Sequence, residues 1–131
     1  MNRTEAREQA FKLVFEYGFR GGDAEELFDD ALLADEIEDD EFSKSELCGV
    51  VNNLQKIDEV IEPNLKSGWS CKRLPKVSLA ILRLAVYEIL FDDTIPVSVT
   101  INEAVELARK YGSEEDTAYI NGVLGSVARK A

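Results

Sequence analysis

The segment from residue 75 to residue 91 does most to constrain the fold. It is apolar nearly all round, with Val77, Leu79, Ala80, Ile81, Leu82, Leu84, Ala85, Val86, Ile89 and Leu90. Pro75 suits the first turn of a helix here. A helix that is hydrophobic on every side has to be wrapped by other elements, so it belongs at the centre of the protein. Its few polar residues, Lys76, Arg83 and Glu88, must then reach an edge or a partner.

The flanking segments are amphipathic at helical spacing. Residues 3–19 place Ala6, Ala10, Leu13, Val14 and Tyr17 on one face, and Gly18, Gly21 and Gly22 end that helix. Asp23 can cap a short helix carrying Leu27, Phe28, Ala31 and Leu32. Ser43-Lys-Ser-Glu46 has capping-box form and opens a helix with Leu47, Val50, Val51, Leu54, Ile57 and Ile61 on one side, stopped by Pro63. Residues 94–101 alternate like a strand, but Pro96 and the lack of a second convincing strand favour a helix running to Gly112. Ser113-Glu-Glu-Asp116 resembles a second capping box, before a last helix with Ile120, Val123, Leu124 and Val127. The expected fold is all-α, a compact bundle of about seven helices, with residues 1–131 forming a single domain. No apolar run reaches the roughly 20 residues of a membrane span and no signal peptide opens the chain, so the expected location is the cytoplasm.

Charge narrows the function. The chain has 26 Asp+Glu, 15 Lys+Arg and no histidine, a net charge of −11. Without histidine there is no Ser-His or Cys-His catalysis and no usual zinc site. Gly-rich phosphate loops and metal-spaced clusters are also missing, so no enzyme, cofactor or metal is expected. A net −11 argues against nucleic acid until its distribution is considered. Residues 23–46 hold twelve acids and one base, which accounts for the whole −11. The remainder is neutral, and residues 63–87 contain Lys66, Lys72, Arg73, Lys76 and Arg83 with no acid. Net charge does not exclude a polyanion when its sign varies by segment. The acidic segment reads as a solvated face, or as one that repels RNA or attracts a basic protein.

The binding inventory is cationic and aromatic. Arg3 and Arg7 are four apart on one helix face. Lys72, Arg73 and Lys76 cluster near a helix start, and Lys110, Tyr111 and Tyr119 flank the Gly112 turn. Guanidinium groups pair with phosphates, and exposed aromatic rings stack on unpaired bases. Taken singly, each cation can equally be a solubilising charge and Tyr119 the edge of a core. Cys48 reads as a core residue. Cys71, beside Lys72 and Arg73, is a candidate for a lowered thiol pKa.

Four motifs in order make the pattern specific. They are Arg3-Thr-Glu-Ala-Arg7-Glu-Gln-Ala10; Trp69-Ser-Cys-Lys-Arg-Leu-Pro-Lys-Val77 with Ala80-Ile-Leu-Arg-Leu-Ala-Val-Tyr-Glu88; Ile95-Pro-Val97 with Ile101-Asn-Glu-Ala-Val-Glu-Leu-Ala-Arg-Lys-Tyr-Gly112; and Tyr119-Ile-Asn-Gly-Val-Leu124. Together they resemble the NusB family over nearly the whole chain. The resemblance implies two packed helical subdomains and a role in transcription antitermination. It implies binding of the boxA element of nascent RNA together with NusE, a small-subunit ribosomal protein, and entry into an RNA polymerase antitermination complex during ribosomal RNA synthesis. Some family members form homodimers that bury the RNA site.

By position, the resemblance implies that Arg3 and Arg7 touch phosphates, that Tyr119 stacks on a base, and that Glu115 and Asp116 border that surface. Lys72, Arg73, Lys76 and Lys110 are added from charge. Only two arginines lie in the first ten residues, with Glu5 and Glu8 among them, so weak RNA affinity is expected without a partner. Arg7→Ala is expected to weaken RNA binding without unfolding the protein. The alternatives are a helical adaptor acting through protein contacts alone and an RNA-binding domain related to those of RNA methyltransferases.

Overall fold

The computed structural model describes residues 1–131 and contains seven α-helices: α1 (Arg3–Arg20), α2 (Ala24–Leu33), α3 (Glu41–Asn52), α4 (Leu54–Ile61), α5 (Lys76–Phe91), α6 (Val97–Tyr111) and α7 (Glu114–Lys130). Two 3-10 turns, Glu62–Asn64 and Cys71–Arg73, lie between α4 and α5. There is no strand, because the alternating stretch before residue 101 becomes the first turns of α6, with Pro96 at its N-cap.

The apolar segment takes the central place its composition demands. Helix α5 packs against α1, α3, α4, α6 and α7. Helices α1, α2 and α3 gather on one side of it and α6 and α7 on the other. One hydrophobic core of 29 buried residues runs through both groups. The polar residues of α5 are accounted for individually. Arg83 grips Asp58 of α4 with two hydrogen bonds, of 3.0 and 2.8 Å. Glu88 meets Arg7 of α1, and Lys76 points to solvent.

Helix ends follow the local chemistry. Asn2 and Glu5 form a reciprocal capping box on α1, Asp23 caps α2, and Ser113 with Asp116 forms the box on α7. Gly18 stays within α1; the helix stops at Gly21, whose φ of 65° suits glycine.

The start of α3 differs from the sequence expectation. Its cap is Asp40, which accepts from the Ser43 N–H at 2.9 Å. Ser43 instead donates its hydroxyl to the Ala6 carbonyl of α1 at 2.8 Å. Glu46 is buried rather than reaching back to a cap. The helix expected to run to Ile61 is broken at Asn53, whose side chain donates to the Gly49 carbonyl. A methyl group on Gly49 would lie 2.2 Å from a ring carbon of Tyr87, so the approach of α3 to α5 requires glycine there.

Candidate nucleic-acid interface

The charged residues of interest divide into an interior set and a surface set. Arg7 heads the interior set, being only 3% exposed. Its Nε donates to Glu88 Oε2 at 2.8 Å and its Nη2 to Oε1 at 3.2 Å. Thr100 donates its hydroxyl to the same Oε1 at 2.7 Å. Burial alone would lower the Arg7 pKa, but the hydrogen bond and charge of Glu88, helped by Glu46 and Glu103, raise it above the ordinary value. A guanidinium held in this way serves first to join α1 to α5. The structure pairs Arg7 with Glu88 where a phosphate contact was expected, which speaks against Arg7→Ala leaving the fold intact. Helical spacing puts Arg3 and Arg7 on one face, but Arg7 lies one turn further in, where α3, α5 and α6 cover it.

Glu46 sits beside this pair, 2% exposed, with its Oε1 lacking any hydrogen-bond partner. Burial, followed by the hydrogen bond and charge of Glu88, pushes its carboxyl well above the usual range. Its surroundings thus favour the protonated form over the carboxylate. Cys71 also belongs to the interior. Burial first, then Asp58 and Glu62, push its thiol up to about 12, the opposite direction to the one for which Lys72 and Arg73 made it a candidate. Thiols in such surroundings are inert.

The surface set is organised around two clefts. The first, of about 310 Å³, is lined by Lys66, Trp69, Leu74, Pro75, Ser78, Glu115, Asp116 and Tyr119. The Trp69 and Tyr119 rings lie 6.2 Å apart, tilted by 41°. The Tyr119 hydroxyl accepts from the Lys66 N–H at 3.5 Å, while its ring packs half-buried against the core. The half-buried ring fits the core-edge reading of Tyr119. Asp116 is held in its capping box, and Glu115 is exposed beside it. Lys72 and Arg73, both exposed, occupy the 3-10 turn leading into Leu74 and Pro75, and exposed Lys76 follows.

The second cleft, of about 330 Å³, lies between α1 and α6 and includes Thr4, Glu8, Glu103 and Lys110. Arg3, one residue before Thr4, is exposed, with its guanidinium 4.1 Å from the centre of the Phe42 ring. Lys110 is exposed but paired with Glu8, which also accepts from the Tyr111 hydroxyl. Those two hydrogen bonds lower the Glu8 carboxyl pKa. The acids expected to dilute the arginine motif are thus engaged locally, since Glu5 accepts from the Asn2 N–H.

Helix α1 carries further cation and aromatic contacts. Its Phe11 ring lies 5.0 Å from that of Tyr111, and Lys12 Nζ is 5.9 Å from the same ring. At its far end Phe19 meets Lys76 Nζ at 5.7 Å. Trp69, Lys66 and Lys12 join the rim without having been singled out. The signal for Trp69 was available, because a tryptophan in a polar loop between cations is an anomaly. Lys12 follows Glu8 by one helical turn.

The helical fold carries, on its surface, cations and aromatic rings, the residue types that meet nucleic acid. Comparison with known proteins makes this particular. The model of the NusB family matches residues 4–129. The transcription antitermination protein NusB of Natranaerobius thermophilus is 44% identical, over 99% of this chain and 96% of its own length. That of Agathobacter rectalis is 40% identical, over 98% of this chain and 100% of its own. Among solved structures, T. maritima NusB superimposes with a TM-score of 0.82 at 34% identity, covering 99% of this chain and 92% of that one. A complex of antitermination factors NusB and NusE with double-stranded RNA contains a chain that superimposes over the full length of both, with a TM-score of 0.86 and 29% identity. The chain belongs to the NusB family.

Proposed function

We propose that this chain is a non-enzymatic transcription antitermination factor. It binds boxA-type RNA jointly with the small-subunit ribosomal protein NusE and carries it into an RNA polymerase antitermination complex in the cytoplasm. The observation that carries this is the superposition, over its full length, on the NusB chain of a NusB–NusE–RNA complex. The rim gives that role its chemistry. Arg3, Lys72, Arg73, Lys76 and Lys110 supply phosphate contacts, Tyr119 a stacking ring, and Glu115 with Asp116 the border of the surface. Residues 1–131 act as one RNA-binding domain because a single core runs through them.

The net charge of −11 sets an expectation for affinity. Cations are few and localised, so the protein alone binds RNA weakly, and a basic partner completes the surface. Titration of boxA RNA against a scrambled sequence, with and without NusE, tests this. Tight, sequence-dependent binding only with NusE is expected. Equal binding of both RNAs in the presence of NusE overturns the antitermination role and leaves an adaptor acting through protein contacts. Solution mass measured with and without RNA determines whether a homodimer covers the rim in the free protein.

A further inference from the structure

Of the cation–ring contacts in the structure, that of Arg3 on Phe42 is the shortest, at 4.1 Å. Phe42, in the first turn of α3, is half-buried. Its backbone is pinned from both sides. Asp40 caps the helix at Ser43, and the Ser43 hydroxyl ties that turn to the Ala6 carbonyl of α1. The ring carries two guanidinium groups, that of Arg7 at 5.2 Å and that of Arg3 at 4.1 Å from its centre. Arg7 is immobilised by its double hydrogen bond to Glu88. Arg3 takes part in no ion pair. The acid nearest to it in sequence, Glu5, is turned to the Asn2 N–H.

We infer that Phe42 is a positioning residue, an aromatic seat that holds the Arg3 guanidinium ready for an RNA phosphate; this rests on the RNA-binding function proposed above. The geometry lets both interactions coexist. A cation–π contact uses the flat face of the guanidinium, whereas its N–H donors lie in the plane and stay free for phosphate oxygens. Holding a long side chain in its bound arrangement beforehand reduces the ordering cost of binding. The buried Arg7 acquires a binding role at one remove. The Glu88–Arg7 pair fixes one side of the ring that presents Arg3.

Two measurements test the seat separately from the RNA surface. In the free protein, the Arg3 side-chain protons should show upfield ring-current shifts by NMR, kept in Phe42→Tyr and lost in Phe42→Leu. In titrations with boxA RNA and NusE, Phe42→Leu should weaken binding about two- to five-fold, the range of an exposed cation–π contact. Phe42→Tyr should restore wild-type affinity. Phe42→Leu should cause no further loss in an Arg3→Ala background. Unshifted Arg3 protons, or wild-type affinity in Phe42→Leu while Arg3→Ala binds weakly, would overturn the seat and leave the RNA surface standing. Equal losses from Phe42→Leu with and without Arg3 would also overturn it, since Phe42 would then act independently. Unchanged affinity in Arg3→Ala would remove Arg3 from the RNA surface and the seat with it. Should Phe42→Leu fail to fold, the Arg3 shifts in the wild type and the affinity of Phe42→Tyr still decide.

Discussion

The polar interior and the cationic rim use the same residue types for opposite ends. In the interior, Arg7, Glu88 and Thr100 turn their polar groups on one another with Glu46 beside them, and all four are buried. On the rim, Arg3, Lys72, Arg73 and Lys76 are exposed, and none of them forms an ion pair with a protein carboxylate. Arg3 and Arg7 stand one helical turn apart and fall on different sides of this divide. The charge of a side chain does not say whether it serves the fold or a ligand. What decides is whether the neighbouring elements bring it a partner of opposite charge.

The largest expected effect comes from breaking the interior. Arg7→Ala leaves the Glu88 carboxylate buried without its charged partner. Removing one member of a buried pair costs about 3–5 kcal/mol. Chemical denaturation should show a loss of that size, and RNA affinity of the folded fraction should fall far less than stability. The next effect belongs to the rim. Tyr119→Ala should reduce RNA affinity by about 1–3 kcal/mol if the ring stacks on a base. Unchanged affinity with a lowered melting temperature would move Tyr119 wholly into the core.

Glu46 sharpens the comparison through pH. Its folded-state pKa is raised above that of an ordinary glutamate, chiefly by burial. The folded protein therefore holds a proton that the unfolded chain releases. The stabilisation is fully present below the ordinary carboxylate range and is lost as pH rises toward the folded pKa. The slope is at most about 1.4 kcal/mol per pH unit. Denaturation between pH 6 and 8 should show this decline in the wild type and a flatter profile in Glu46→Gln. An identical decline in both would place the titrating proton elsewhere. The smallest effects are those of single rim cations. Lys72→Ala or Arg73→Ala should each reduce the slope of log affinity against log salt by about 0.7 for single-stranded RNA, with stability unchanged.

The framework was legible in the sequence where a local rule decides the outcome. An apolar surface all round makes α5 central, Asp23 and Ser113 cap helices by their own chemistry, and Pro96 turns an alternating stretch into a helix start. It was illegible where packing between distant segments decides. Ser43 and Glu46 have capping-box spacing, yet the approach of α1 draws Ser43 to the Ala6 carbonyl, and α5 buries Glu46 beside Glu88. Spacing puts Arg7 on the face of Arg3 but cannot show that Glu88, eighty-one residues away, will hold it. Cys71 has cations as sequence neighbours, whereas in space Asp58 and Glu62 outweigh them.

The division between interior and rim is tested most directly by the arginine Nε–Hε NMR spectrum, recorded while boxA RNA and NusE are added. The Arg7 signal should be protected from exchange in the free protein and stay in place throughout, while the Arg3 signal moves with RNA. An Arg7 signal that shifts on RNA addition while Arg3 stays still would contradict the assignment of one arginine to the fold and the other to the ligand.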